Sequence, residues 1–119
     1  MAGKIIADQI EHSTAGSLDT QYVVQGSAKA WVLGSTAAAL TKSFNTASGT
    51  DNGTGDYTYA FTSSMDSANF VVGNSIAQSN TGSSHNDSRT SSNYRVSYTD
   101  AAFGRADRVN NSSVQGDLA

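Results

Sequence analysis

The chain has 119 residues with a formal net charge of −3, and it contains neither cysteine nor proline. These counts exclude disulfide staples, thiol catalysis and cysteine zinc sites, and the weakly acidic balance argues against general nucleic-acid binding. Ser, Thr, Asn and Gly make up 51 residues, whereas Leu, Ile, Val and Phe make up only 20. We therefore expect one small domain with a thin core, for which burial between subunits is the remaining means of stabilisation.

The first part of the chain predicts an N-terminal arm or a short helix. Ile6 and Ile10 stand four residues apart with Ile5 beside them, which fits either a short helix or an extended arm lying on a neighbour. Residues 13–20 are rich in turn-forming types and predict a loop. Residues 22–24 (Tyr-Val-Val) form a short β-prone run.

The next segment predicts two strands. Residues 28–33 alternate in an extended chain, with Ala28, Ala30 and Val32 on one side and Lys29, Trp31 and Leu33 on the other. Residues 36–46 combine an alanine run, which favours helix, with several Thr and Ser, which favour a strand. We expect a strand that ends at Phe44. The apolar runs here are only a few residues long, so no membrane insertion is expected.

Strict alternation gives the clearest signal. The turn-rich segment 50–56 contains Asn-Gly and leads into residues 57–62, whose bulky side chains share one face: Tyr57, Tyr59 and Phe61. Residues 69–73 predict a further strand, and residues 94–98 alternate in the same way. Residues 33–46 and 100–119 stay ambiguous in conformation. The pattern as a whole predicts an all-β fold, a small antiparallel β-sandwich with an N-terminal arm or short helix.

A long polar stretch, residues 78–92, predicts an exposed loop. Its hydroxyl and amide groups suit hydrogen bonding to sugars or to a protein surface, and a merely solvated loop is the alternative. The predicted receptor-facing residues of this loop are Ser79, Asn80, Ser84, His85, Asn86 and Asp87.

Metal and catalytic motifs are weak. Residues 51–56 carry oxygen ligands on a glycine-rich turn, but Gly53 falls where a calcium loop needs a ligand, so a hairpin turn is expected instead. His12 could meet its copies on a threefold axis, although a lone exposed histidine is the simpler interpretation. No Gly-x-Ser-x-Gly elbow is present, and Glu11 is the only glutamate, so neither hydrolase nor glycosidase chemistry is supported. We expect no enzyme activity, no cofactor and no metal.

Trp31 is the only tryptophan in the chain. It could stack on a sugar ring, but an anchor in the core or at a subunit interface is favoured because its ring buries so much surface.

Several motifs together resemble a known family. Residues 5–32 (from Ile-Ile-Ala-Asp-Gln-Ile-Glu-His to Ala-Lys-Ala-Trp-Val) are similar to a segment of tail-fibre and other virion proteins of marine tailed bacteriophages. Residues 50–58 (Thr-Asp-Asn-Gly-Thr-Gly-Asp-Tyr-Thr), residues 68–70 (Ala-Asn-Phe) and the final Gly-Asp-Leu-Ala resemble its small β-rich C-terminal domain. The chain departs from the family pattern at residues 33–36, where Leu-Gly-Ser-Thr replaces an Asn-Phe-Asn-Gly-like stretch.

The resemblance implies a virion structural protein, assembled in the host cytoplasm as a homotrimer and able to contact host surface glycans. The leading hypothesis is a short tail-fibre or tail-tip subunit in which residues 1–25 dock on other virion proteins and residues 26–119 form the β-rich domain. A capsid decoration or head-fibre protein and a carbohydrate-binding module are the alternatives. The predicted assembly contacts are Ile5, Ile6, Ile10, Trp31, Tyr57, Tyr59 and Phe61.

Overall fold

The two alternating segments of the sequence lie side by side at the centre of one β-sheet, as their pattern predicts. The computed structural model describes residues 3–78 and 81–119 and forms ten strands and one short helix over these ranges. In chain order the elements are β1 (Gln9–His12), β2 (Gly16–Asp19), α1 (Thr20–Gly26), β3 (Ala30–Gly34), β4 (Leu40–Phe44), β5 (Thr46–Gly53), β6 (Asp56–Phe61), β7 (Val71–Ile76), β8 (Ser84–Arg89), β9 (Asn93–Tyr98) and β10 (Asn110–Gln115).

Eight of the strands form two four-stranded antiparallel sheets that pack face to face. The first sheet has the order β4-β3-β10-β7 and the second has the order β5-β6-β9-β8. The chain passes between the sheets several times, so strands that follow one another often lie in different layers. The predicted class, a small antiparallel β-sandwich with an N-terminal arm or short helix, is confirmed.

Tyrosine rings fill the space between the sheets. Tyr57, Tyr59, Tyr94 and Tyr98 of the second sheet are fully buried, and their rings stack in tilted pairs 5.7–5.9 Å apart. Aliphatic side chains of the first sheet face them, with Val32, Val72 and Val114 buried. Because each tyrosine buries a large apolar ring, a chain with few aliphatic residues still fills its core.

The buried tyrosine hydroxyls reach across to the other sheet. Tyr59 donates to Asn110 Oδ1 at 2.8 Å, and the Tyr94 hydroxyl lies 2.6 Å from Ser112 Oγ. Asn110 and Ser112 are themselves buried on β10. The two sheets are therefore joined by polar contacts inside an otherwise apolar core, because buried hydroxyls require partners.

Three predicted assembly residues belong to this core. Tyr57 and Tyr59 have no exposed surface, and Phe61 has only 7%. Their alternation makes one face of β6 apolar, and that face packs inward against the other sheet of the same chain. The structure thus places these three rings inside the subunit and not on a surface that a second subunit could contact.

The arm differs in its local structure from the prediction. The β-prone residues 22–24 lie in the helix α1, whose backbone hydrogen bonds are internal and need no partner strand. The predicted loop 13–20 contains β2, which pairs with β1 in the register Gln9↔Asp19 to His12↔Gly16. The assignment left open between helix and extended arm resolves into a strand for residues 9–12.

Two polar segments form strands that the sequence did not predict. Residues 84–89 of the expected loop form β8, an edge strand that pairs with β9 and is exposed throughout. Residues 110–115 of the unassigned tail form β10, a central strand between β3 and β7. Both strands are held by backbone hydrogen bonds to their neighbours. These bonds form with polar as well as apolar side chains, so the polar sequence did not reveal them. Ser79 and Asn80 lie outside the described residues.

The remaining strand predictions hold with small shifts at the ends. The ambiguous stretch 36–46 contains β4, which ends at Phe44 as expected, after a turn in which Ala38 has a φ of 61°. The turn-rich segment 50–56 is the β5–β6 hairpin, and Gly55 at its tip has a φ of 64°, a backbone conformation that glycine adopts without strain.

Candidate functional site

The arm, defined here as residues 3–27, exposes most of its apolar side chains. Ile5 is 94% exposed and Ile6 is 84% exposed, and Ile10 and Val24 are both more than half exposed. These side chains and Val23 surround a concavity of about 430 Å³ between the extended start of the chain and α1. No residue of α1 is buried. The arm therefore presents an aliphatic surface that its own chain leaves uncovered.

The arm is held in a defined conformation despite this exposure. The Thr20 hydroxyl donates to the carbonyl oxygen of Ala7 at 2.6 Å and closes the base of the β1–β2 hairpin. At the other end, Lys29 Nζ donates to the carbonyl oxygens of Val24 and Ser27 at the end of α1. The Lys29 amide bonds to the carbonyl oxygen of Val114 on β10 at 2.7 Å. Lys29 thus ties the helix to the sandwich.

His12 has a structural partner within this arm. Its Nδ1 accepts from the backbone amides of Thr14 at 3.3 Å and Ala15 at 3.1 Å, which caps the β1–β2 turn. Within residues 3–78 and 81–119, no group of three or more His, Asp or Glu side chains is placed to hold a metal ion.

The outer face of the first sheet is largely uncharged. Trp31 on β3 lies opposite Phe44 of β4 on one side and opposite Ser113 of β10 on the other, and Ser113 in turn lies opposite Gly73 of β7. Trp31 is half-buried, whereas Phe44 is 54% exposed. Beside the indole is a shallow depression of about 370 Å³, which we call the Trp31 trough; it is lined by Trp31, Leu33, Gly73, Asn111 and Ser113.

The outer face of the second sheet carries an ion-pair network instead. Arg95 on β9 holds both carboxylate oxygens of Asp56 on β6, with Nε 2.8 Å from Oδ1 and Nη2 in contact with Oδ2. Arg105 Nη1 lies 3.8 Å from the Asp56 carboxylate and 3.7 Å from that of Asp87 on β8. The hydrogen bond from Arg95 lowers the pKa of Asp56 below its usual value, against the opposing effect of burial.

The same network includes residues of two segments that the sequence singled out, the 51–56 turn and the polar stretch 78–92. Asp56 is paired with guanidinium groups, and Asp51 Oδ1 accepts from the amide of Gly53 at 3.0 Å. The 51–56 segment thus uses these oxygens to build its hairpin, as the simpler hypothesis expected. Asp87 lies on β8 of the same sheet and is one of the predicted receptor-facing residues. Its Oδ1 accepts a hydrogen bond from the Ser97 hydroxyl at 3.1 Å.

The other predicted receptor-facing residues on β8 contact the neighbouring edge strand β7. Ser84 Oγ donates to the carbonyl oxygen of Asn74 at 3.2 Å, and Asn86 Nδ2 donates to that of Val72 at 3.0 Å. Arg89 Nη1 likewise donates to the carbonyl oxygen of Phe70 at 3.1 Å. We call these three hydrogen bonds the side-chain ladder. Sequence reasoning missed this side-chain ladder because nothing in residues 84–89 indicates an edge. His85 is exposed on the same strand.

The buried tyrosines are held in the neutral form. Burial raises the pKa of Tyr57 to about 12, and burial likewise raises the pKa of Tyr59, Tyr94 and Tyr98. Tyr57 donates to the carbonyl oxygen of Thr36 at 2.8 Å and also contacts Asp107 Oδ1. The hydroxyls of Tyr57 and Tyr59 serve as structural hydrogen-bond donors at neutral pH.

Comparison with protein-family models, with curated proteins and with solved structures gives no match for this chain. Among the described residues, no helix has the length and apolar character needed to cross a membrane.

Proposed function

We propose that this chain is a bacteriophage virion structural protein, a homotrimeric tail-fibre or tail-tip subunit without catalytic activity. The arm would dock on other virion proteins and on its own copies, and the sandwich would face the host surface. The observation that carries the proposal is the uncovered aliphatic surface of the arm next to a sandwich that fills its core from its own residues. Contiguous apolar surface of this kind marks an interaction site in a soluble protein.

The arm suits assembly better than ligand binding. Its exposed side chains are aliphatic, which favours burial against another protein surface. The hydrogen bonds at Thr20 and Lys29 hold the backbone that carries these side chains before any contact is made. A surface that is already ordered loses less conformational entropy on association. The threefold stoichiometry is drawn from the resemblance of residues 5–32 to phage fibre segments.

Light scattering on the purified full chain tests the assembly. We expect a particle of three chains, each of 12.3 kDa. The triple variant Ile5→Ser, Ile6→Ser, Ile10→Ser should give single chains with an unchanged circular dichroism spectrum, because these side chains lie outside the core. Phe103→Ser is the matched control, since Phe103 is 81% exposed but lies on the sandwich; this variant should remain trimeric.

A well-folded monomer for the unaltered chain would contradict the trimer. Crosslinking from the arm in intact particles identifies the protein that it touches. A tail protein is the expected neighbour, and a capsid protein in its place would replace the tail assignment with capsid decoration.

A further inference from the structure

The Trp31 trough contains a glycine, Gly73, at a position where the backbone conformation does not require one. Gly73 lies in the middle of β7, where glycine weakens a strand because it has no side chain to pack. Its φ is not in the left-handed region, and β7 pairs with β10 in unbroken register from Val71 to Ile76. A glycine in a strand without a bulge or a special φ often marks a site where a ligand or another backbone approaches closely.

The space above Gly73 is open. A Cβ added there would meet only Ser113 Oγ, at 3.7 Å, which is an ordinary contact. The absence of a side chain therefore relieves no clash inside the chain. Its effect is to leave a flat floor, made by Gly73 and Ser113, beside the indole of Trp31.

Polar groups at the trough are neutral and available. Asn111 Oδ1 accepts from the Ser75 hydroxyl at 2.5 Å, and the Asn111 Nδ2 group makes no hydrogen bond with any described residue. The Ser113 hydroxyl accepts only a long 3.5 Å contact from Gln115. Asn111 is exposed and Ser113 half-buried, so their polar atoms stand at the surface next to the aromatic ring.

The outer face of the first sheet is almost uncharged, which favours an uncharged ligand. Among the outward-facing residues of the four strands, Lys42 is the only charged one, and it lies opposite Leu33. The ion pairs of the sandwich lie on the other sheet. A site with one aromatic wall, a few uncharged hydrogen-bonding groups and a volume of about 370 Å³ is suited to a neutral ligand of modest size.

We propose that the Trp31 trough binds an uncharged pyranose ring of a glycan. The C–H face of the sugar packs on the indole over Gly73, and its hydroxyls take hydrogen bonds from Asn111 Nδ2 and share them with Ser113. This inference rests on the proposed function, because it supplies the host-facing sandwich with the class of molecule that it contacts. It gives Trp31 a role in ligand binding in place of the subunit contact that the sequence predicted.

Trp31 is the only tryptophan, so its fluorescence reports directly on the trough. The full chain is titrated to millimolar concentration with maltohexaose, cellohexaose and mannohexaose, in low and in high salt. We expect at least one of these sugars to shift the Trp31 emission with a saturable curve. The curve should be unchanged in high salt, because no ion pair forms on binding.

Two variants separate binding from folding. Gly73→Val fills the floor and retains the indole, and it should weaken the association constant about tenfold or more, since losing one well-packed contact of about 1.4 kcal/mol has that effect. Asn111→Ala should weaken it less. Ser48→Val on the outer face of the second sheet is the matched control and should leave the titration unchanged.

The inference is overturned if none of the three sugars changes the emission, or if Gly73→Val binds as the unaltered chain does. It is also overturned if the emission depends on protein concentration and Gly73→Val changes the mass by light scattering, because a second chain then covers the trough. A trimer that binds no sugar would remove this inference alone. A monomer that binds sugar would remove the trimer alone.

Discussion

The buried tyrosine hydroxyls differ from one another in a way that single substitutions can measure. Tyr59 donates to Asn110 Oδ1 inside the core. Tyr98 is equally buried, but its hydroxyl has no hydrogen-bond partner among the described residues. The same ring in the same sheet thus carries one satisfied and one unsatisfied polar atom. A buried hydroxyl without a partner costs stability, whereas a paired one contributes to it.

We expect Tyr59→Phe to lower the free energy of unfolding by about 1–3 kcal/mol, because it leaves the Asn110 oxygen buried without a donor. Tyr98→Phe is the matched control and should be neutral or stabilising. Urea denaturation of the two variants and the unaltered chain measures the difference. Equal losses in both variants would show that the hydrogen bond to Asn110 is not what stabilises this position.

The edges of the two sheets are protected differently from one another. On one side β7 and β8 are joined by the side-chain ladder of Ser84, Asn86 and Arg89. On the other side the chain turns directly from β4 into β5 at Asn45, which has a φ of 51°. The Asn45 side chain bonds to the backbone of Lys29 and Ser63 and fixes this corner. Exposed strand edges promote unwanted pairing, so the ladder also limits aggregation.

Asn86→Ala should remove the central donor of the ladder and leave the carbonyl oxygen of Val72 to water. We expect the free energy of unfolding to fall by about 1 kcal/mol. The β7 amides should also exchange hydrogen faster, because this edge of the sheet opens more readily. Ser88→Ala, on the same exposed strand, serves as the control. Exchange rates on β7 that match between the two variants would rule out a role of the ladder in protecting this edge.

The Arg95–Asp56 pair predicts a pH dependence. Arg95 lowers the pKa of Asp56 in the folded chain. The pair therefore contributes stability above the unfolded pKa of about 3.9, and this stability is lost as the pH falls through the lower folded value. Arg95→Gln should be less stable than the unaltered chain at neutral pH, and the difference should shrink in acid. Unfolding measured over a pH series, with an NMR titration of Asp56, checks both the sign and the assigned residue.

Strands were predictable where apolar side chains alternate, and they were not where polar side chains do the packing. β6 and β9 place a large apolar or aromatic side chain at every second position, so both strands can be recognised in the sequence. β10 buries Asn110 and Ser112, whose partners are hydroxyls on the other sheet; the polar sequence of this strand therefore resembles that of a loop.

The exposed isoleucines of the arm could be anticipated. The trough could not, because Gly73 and Asn111 meet Trp31 only through strand pairing, although Gly73 inside a β-prone run was a signal.

The arm and the sandwich are separate in their packing. Every residue of the buried core lies at position 30 or later, and β1 pairs only with β2. The connection passes through Ser27 and Ala28, next to the Lys29 hydrogen bonds. The sandwich therefore has a hydrophobic core of its own, and the arm adds no residue to it.

Deleting residues 1–26 should therefore leave the thermal unfolding midpoint of the sandwich nearly unchanged and abolish the proposed trimer. Circular dichroism melts and light scattering on the same sample measure the two effects separately. A sandwich that unfolds without the arm would mean that its stability depends on assembly, as the thin core first suggested. A shortened chain that remains trimeric would move the subunit contact from the arm to the sandwich.

The pairing of β3 with β10 brings the earliest strand of the sandwich beside the latest, with Gly34 opposite Asn110. Contacts between such distant parts of a chain form slowly, because a long loop must close before they contribute. During synthesis the arm leaves the ribosome before the sandwich, and the first sheet stays incomplete until β10 has emerged. A chain that stops short of β10 leaves β3 and β7 without their shared neighbour, so incomplete chains should not complete the first sheet and should be cleaved by proteases more readily than the full chain.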